Sequence, residues 1–389
     1  MSASSASSAS SASPTSGIPN PLTPEWLTTA LRQSGMLPTG QVTRVEERAN
    51  AAFNSAARHL QVTYSPDAPP DMPRWLFFKR NLPVAWAVRA GAREVAFYQV
   101  AATMTGHLPM LTTCYGSSYD EERGDSWLLL HDVSTTHISP VTREQLIAGR
   151  GVPPDDQLAA AVEALAGLHA AWWEHSALGT GTLLVSEWYR DQACFEASLR
   201  EFTDNWGAFQ QMTGEALSAA TRALGEAALA ALPYLWQQHL AERMAARRQL
   251  TISHGDCYLS QFLCPLPESS DTATYLVDFQ GACGDLPAMD LVFLFATFWT
   301  PEQRHEGQRE ERLMRAYLDA LTRHGVTGYS WDDLVLDYRI ALAFMFFYPV
   351  WDALDGSSRD YWEPKLRCLA SAVDDWECRE LFASAMREA

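Results

Sequence analysis

The chain has 389 residues, 47% hydrophobic and 20% charged, which is ample apolar material for one two-lobed enzyme or two to three domain-sized units. Its 29 basic residues face 47 acidic ones, and the net charge of −18 argues against nucleic acid and against an anionic membrane surface as partners, because both need a basic face. Seven cysteines with no CxxC pair argue against a disulfide framework or a zinc site and suit a reducing, cytoplasmic setting.

Residues 1–17 are almost entirely Ser and Ala, with neither a basic start nor an apolar run. They read as a disordered tail, not as a signal peptide. No stretch of about 18 unbroken apolar residues occurs, so no transmembrane helix is expected. Thr23 as N-cap and Pro24 at the first helical position predict a helix over 24–36. Three strand-like runs follow at 41–48, 57–64 and 74–80, the last reading RWLFFKR. A tight connection, ANAAFNS at 49–55, joins the first two, and the turn-rich SPDAPPDMP joins the second and third. A helix is predicted over 90–104, with Val95, Tyr98 and Ala102 on one face and Glu94 beside it. Strands are expected at 111–115 and 126–130, split by the polar turn SSYDEERGD. From about 140 the pattern is helical, with helices expected at 155–175, 185–204, 214–232 and 235–248. A short strand at 250–253 leads into His254. A hairpin is expected from 261–264 and 274–279, and 289–389 is helical again. A sheet-rich first third thus joins a helix-rich remainder near 130–135, an α+β, two-lobed layout.

The chemistry concentrates in two short segments. His254-Gly255-Asp256 ends a strand, so that glycine puts Asp256 on an exposed loop, and Gln261 follows five residues on with an amide oxygen. Asp278-Phe279-Gln280 ends the later hairpin with a second carboxylate. Phosphoryl transfer needs such a pair, one carboxylate to orient the acceptor hydroxyl and take its proton, one to hold Mg²⁺ through hard oxygen. Either aspartate alone could simply close or cap a turn. Their order and spacing favour the catalytic reading.

These segments resemble the HGDxxxxN loop and following metal-binding Asp of the aminoglycoside phosphotransferase and choline kinase superfamily, whose members share the protein-kinase-like fold. The pattern is most similar to the ecdysteroid-kinase-like branch and its bacterial counterparts. The resemblance implies a small antiparallel-sheet N-lobe and a large helical C-lobe. It divides the chain into a tail at 1–20, a nucleotide-binding lobe at 21–130, a hinge at 131–135 and, at 136–389, the helical lobe with catalytic loop and acceptor site. It implies that Asp256 is the catalytic base and that Asp278 and Gln261 hold the metal. Lys79 is implied to contact ATP phosphates and Glu94 to pair with it, and the backbone at His131 and Val133, within LLLHDVS, to bind adenine. LAGLHAAWW (165–173) is similar to the helix before the catalytic loop, and Asp290 in GDLPAMDL to a structural anchor. Gln261 stands where the family carries Asn, and the ANAAFNS loop has no glycine.

The function implied is an ATP- and Mg²⁺-dependent kinase for a hydroxyl on a small molecule: an antibiotic, a steroid-like or other secondary metabolite, or an amino-sugar. The alternative is a catalytically weak or inactive nucleotide-binding protein that kept the fold. A protein acceptor ranks last, because the chain after Asp278 leaves little platform for a peptide. Acceptor contacts are expected from Trp188, Tyr189, Asp285, Trp351 and Asp352. The acidic residues would favour an amine-bearing acceptor and the aromatic ones an apolar, ring-containing acceptor; the closest-looking branch tips the balance to the second.

Overall fold

The structure, a computed structural model, describes residues 18–50, 55–104 and 108–388. The Ser/Ala tail and residues 51–54 of the ANAAFNS connection lie outside the described residues. The chain divides into two compact units, one of Met1–Ala102 with Thr112–Val133 and one of Thr103–Leu111 with Ser134–Ala389. The division falls inside the expected hinge. One segment departs from the expected lobes: Thr103–Leu111 belongs with the helical unit. Leu111 bridges Leu276 there, and the Leu276 N–H donates to the Met110 carbonyl.

The first unit is a five-stranded antiparallel sheet in the order β1-β2-β3-β5-β4, from β1 (Val42–Asn50), β2 (Ser55–Tyr64), β3 (Trp75–Asn81), β4 (Cys114–Asp120) and β5 (Asp125–His131). Alternation puts Leu60, Val62, Leu76, Phe78, Trp127 and Leu129 into one apolar layer. Helix α1 (Pro24–Gln33) covers that layer with Leu27 and Leu31. Thr23 caps it by accepting the Trp26 N–H, as its sequence predicts. The polar stretch after Cys114 is mostly strand, since Ser117 to Asp120 pair with Leu128 to Asp125, and the reversal shrinks to the residues ending at Gly124.

Helix α2 (Ala85–Ala101) begins five residues before the expected start. Its N-cap is Val84, which offers no side-chain acceptor, so the sequence carries no start signal there. Burial of Ala87, Gly91, Ala92, Val95 and Tyr98 holds the helix down instead. Gly91 lets it lie close: a Cβ there would stand 2.0 Å from Ser126 Oγ on β5.

The second unit carries two small sheets among its helices, β6 (His137–Ile138), β8 (Phe262–Pro265) and β9 (Tyr275–Leu276) in one, β7 (Thr251–Ser253) and β10 (Cys283–Asp285) in the other. The expected helix over 185–204 starts instead at Gln192, where Asp191 caps it, because Val185 is drawn into a bridge with Gly284. The two helices expected over 214–232 and 235–248 run on without a break from Ala219 to Ala246, through a wider turn at Trp236–Leu240. One apolar run, Trp331–Leu354, is long enough to cross a membrane by length and composition, with a mean hydropathy of 1.4. Of the 18-residue window that gives this value, 72% is buried inside the protein, and Ile340 to Phe347 are all buried.

Candidate active site

In the first unit, β3 delivers Lys79 and α2 delivers Glu94. Lys79 pairs with Leu128 of β5, so it sits in the middle of the sheet. Both side chains are buried, and Lys79 Nζ reaches Glu94 Oε2 at 2.7 Å and Oε1 at 2.9 Å. A buried ammonium held in a forked contact is fixed in position. At the end of β5 the His131 N–H donates to the Thr113 carbonyl at 2.8 Å, so any contact of His131 with an adenine falls to its carbonyl. His131 Nδ1 lies 3.2 Å from Tyr115 Oη. Asp132 beside it is buried and meets His59 Nδ1 at 2.6 Å. Val133 is the last residue of this unit and is buried.

In the second unit, strand β7 runs into His254-Gly255-Asp256 and strand β9 into Asp278-Phe279-Gln280. The two turns press against each other. A Cβ on Gly255 would stand 2.4 Å from the Gly281 carbonyl oxygen, and one on Gly281 would stand 2.9 Å from the His254 carbonyl oxygen. Gly255 adopts φ +76°, open to glycine without cost, and Asp278 adopts φ 72°, ψ 56°, which for a non-glycine residue is a strained conformation typical of functional turns. His254 Nε2–H donates to the Val277 carbonyl at 2.9 Å, and its ring packs on Phe279 with centroids 4.8 Å apart. The pairing of the two motifs read from the sequence is thus a physical contact.

Asp290 holds this arrangement from below. Its carboxylate accepts from Ser253 Oγ, from the backbone N–H of His254 and of Gly255, and from His169 Nε2 at 3.1 Å. His169 stands in the helix Asp155–Ala171, the LHAAWW segment, and its Nδ1 meets Tyr317 Oη at 2.6 Å. Burial would push the Asp290 carboxyl up, but the hydrogen bonds from His169 and the His254 amide, with the charge of both histidines, bring it below the ordinary value.

Burial raises the Asp256 carboxyl to about 6, and the Asp278 charge adds to the rise while His254 and Lys365 oppose it. Gln261, on the short turn Leu259–Gln261, donates from Nε2 to Asp256 Oδ2 at 3.4 Å. In that orientation Gln261 Oε1 is the amide oxygen, with no partner among the described residues. The donor set is two carboxylates and one amide oxygen, hard ligands of the kind that hold Mg²⁺ together with phosphate and water. Among the described residues no group of three or more His, Cys, Asp and Glu that could hold a metal occurs, so a closed zinc-type cage is not built here.

Among the expected acceptor contacts the structure separates two groups. Tyr189 and Asp285 are buried and hydrogen-bonded to each other, so they are packing and not lining. Trp188, Trp351 and Asp352 are partly exposed, with the two indole rings 5.4 Å apart. Sequence reasoning missed Lys365, the single lysine of the helix Arg359–Asp375, which pairs with Asp352 at 2.7 Å. It also missed the His169–Asp290 bond, whose partners lie 121 residues apart.

A β-sheet unit with a buried Lys–Glu pair and a helical unit with an HGD loop and a second aspartate define a kinase-like phosphotransferase fold. The chain belongs to the ecdysteroid kinase-like family, whose model matches residues 95–326. No curated protein matches the sequence significantly. Among solved structures it is similar to an ethanolamine kinase from Plasmodium vivax (9% identity, TM-score 0.50, 86% of this chain and 84% of that one). It is also similar to a macrolide 2'-phosphotransferase from Brachybacterium faecium (15%, 0.49, 88% and 97%) and a choline/ethanolamine kinase family protein from Mesorhizobium loti (14%, 0.45, 87% and 92%). The likeness to the Plasmodium vivax enzyme concerns the fold alone.

Proposed function

We propose that the chain is an ATP-dependent phosphotransferase that moves the γ-phosphoryl group to a hydroxyl of a small molecule, an antibiotic, steroid-like or other secondary metabolite. The observation that carries this reading is the contact of the HGD and DFQ turns, which presents the Asp256 and Asp278 carboxylates from one anchored platform. Asp256 orients the acceptor hydroxyl and takes its proton as the acceptor oxygen bonds to the γ-phosphorus. The bond from that phosphorus to the bridging oxygen breaks, and ADP leaves with the electron pair. Asp278 and Gln261 Oε1 are the residues that would hold Mg²⁺. Bound there, Mg²⁺ supplies charge neutralisation at the phosphate oxygens. Lys79, fixed by Glu94, holds phosphate oxygens, and the His131 carbonyl and Val133 backbone hold the base.

A catalytically inactive nucleotide-binding protein has less support. Lys79, Glu94, Asp256 and Asp278 are all present, and the first two are joined as catalysis requires. The test is an ATP-consumption screen of the full chain against a panel of hydroxylated metabolites and antibiotics. The expected result is acceptor-dependent ADP formation that stops when Mg²⁺ is chelated. Mg-ATP binding with no turnover across the panel would favour the inactive reading.

A further inference from the structure

Of the 29 basic residues in the chain only two are lysine, Lys79 and Lys365; all the others are arginine. Both lysines are buried and both pair with a carboxylate. Lys79 belongs to the phosphate-holding pair. Lys365 is fully buried, and its Nζ lies 3.9 Å from the Tyr361 ring centroid, 5.2 Å from that of Tyr348 and 5.4 Å from those of Tyr258 and Phe298. Four aromatic faces around an ammonium make the kind of cage that recognises quaternary ammonium ligands. Here the cage already holds a cation, the chain's own.

The cage adjoins the reacting carboxylate. Tyr258 follows Asp256 by two residues, and the Asp256 carboxyl feels the Lys365 charge. Tyr258 is 8% exposed, and its Oη is buried with no hydrogen-bond partner among the described residues. Tyr348, Trp351 and Tyr361 continue this aromatic group and are partly exposed, so a ring-bearing molecule can be met there.

We propose that Lys365 is a resident cation that fills the aromatic cage beside Asp256 and sets acceptor specificity against ammonium-bearing alcohols, and that Tyr258 Oη contacts an oxygen of an uncharged acceptor. The proposal rests on the reading of Asp256 as the residue that orients the acceptor. A second ammonium would meet the like charge of Lys365, and the ring faces that could have attracted it are taken. The Asp352 carboxylate is neutralised by Lys365 at 2.7 Å. Asp256 and Asp278 are committed to proton transfer and metal, which leaves the exposed Glu187 as the acid near Tyr348. The net charge of −18 would by itself draw cations, and Lys365 opposes that pull beside Asp256. A buried hydroxyl with no partner gains a hydrogen bond when an acceptor oxygen reaches it, and rejects a molecule that cannot supply one.

The test compares choline with its uncharged carbon isostere, in which a tert-butyl group replaces the trimethylammonium. Binding of each to the full chain is measured by ligand-observed NMR and calorimetry with Mg²⁺ and a non-hydrolysable ATP analogue. The isostere is expected to bind at least about tenfold more tightly than choline, and Tyr258→Phe to weaken the isostere about tenfold. Lys365→Met removes the cation from the cage and leaves Asp352 unpaired, and is expected to bring choline binding up to or above that of the isostere. Equal binding of the two by the wild type, none by either included, or tighter binding of choline overturns the proposal. Should Lys365→Met not fold, the wild-type ratio and Tyr258→Phe decide it. The kinase reading is judged separately by ATP turnover in Asp256→Asn, so an active kinase that prefers choline sinks this proposal alone.

Discussion

Asp290 shows how one buried side chain can set the shape of the loop that carries Asp256. It is fully buried and accepts from Ser253, His254, Gly255 and His169, so its charge is spread over four donors. Its folded-state value is depressed, so the stability it contributes is in place above the ordinary carboxylate value and is lost as pH falls through the lower, folded value. Asp290→Ala leaves His169 and two loop amides without their acceptor, and the expected cost is about 3–5 kcal/mol. Denaturant unfolding at pH 7 checks this, and a loss under about 1 kcal/mol would contradict it. Asp285 has the opposite sign. Burial raises it to about 7, against the hydrogen bonds from Tyr189 and the Leu286 amide. A raised carboxyl costs stability as it ionises, so the cost is nil below about 4, grows up to about 7 and is constant above. Asp285→Asn removes that cost, and its melting temperature relative to wild type should therefore improve between pH 5 and pH 8. A difference independent of pH would contradict the burial argument.

The candidate residues differ in how legible they were, and the reason is distance along the chain. Asp256, Gln261 and Asp278 lie within 23 residues of one another in fixed order, so spacing alone marked them. Lys79 and Glu94 were marked only by likeness to a family. Lys365 carried no local signal, because its cage is built from residues of four separate segments. The orphaned Tyr258 hydroxyl was likewise invisible, since only packing shows which polar atom lacks a partner. Tyr189 and Asp285 were read as acceptor contacts and turned out to bond each other in the core.

Among the elements, the two turns that meet at Gly255 and Gly281 carry the most sequence constraint. Gly255→Ala would add a Cβ 2.4 Å from a backbone oxygen, at a φ that costs an L-residue about 1–2 kcal/mol on its own. The turns would have to part, so turnover is expected to fall at least about tenfold while the melting point drops. Retained turnover in Gly255→Ala would show that the contact of the turns is dispensable. Helix starts with a side-chain cap, such as Thr23, could be read from the sequence, but the start at Val84 could not, because burial and not capping holds it. The apolar run at Val185 looked helical by period, yet its pairing with Gly284, some hundred residues on, makes it extended. Strand β4 was hidden because its residues are polar and only half-buried.

At the scale of the whole molecule, the residues proposed to hold nucleotide and those proposed to react fall in different units. Lys79 and Glu94 belong to the sheet unit, and Asp256, Gln261 and Asp278 to the helical one. Variants should divide in the same way. Lys79→Met is expected to weaken Mg-ATP binding about tenfold or more, since it removes the fixed ammonium and strands Glu94. Unchanged ATP affinity in a folded Lys79→Met chain would remove Lys79 from the phosphate site. The most direct measurement is phosphoester formation from ATP by Asp256→Asn, followed by phosphorus NMR beside a calorimetric ATP titration of the same variant. If Asp256 accepts the acceptor proton, product formation falls by about 10²–10⁴-fold while ATP affinity stays within about threefold of wild type. Near-full product formation by Asp256→Asn would contradict that role for the HGD loop.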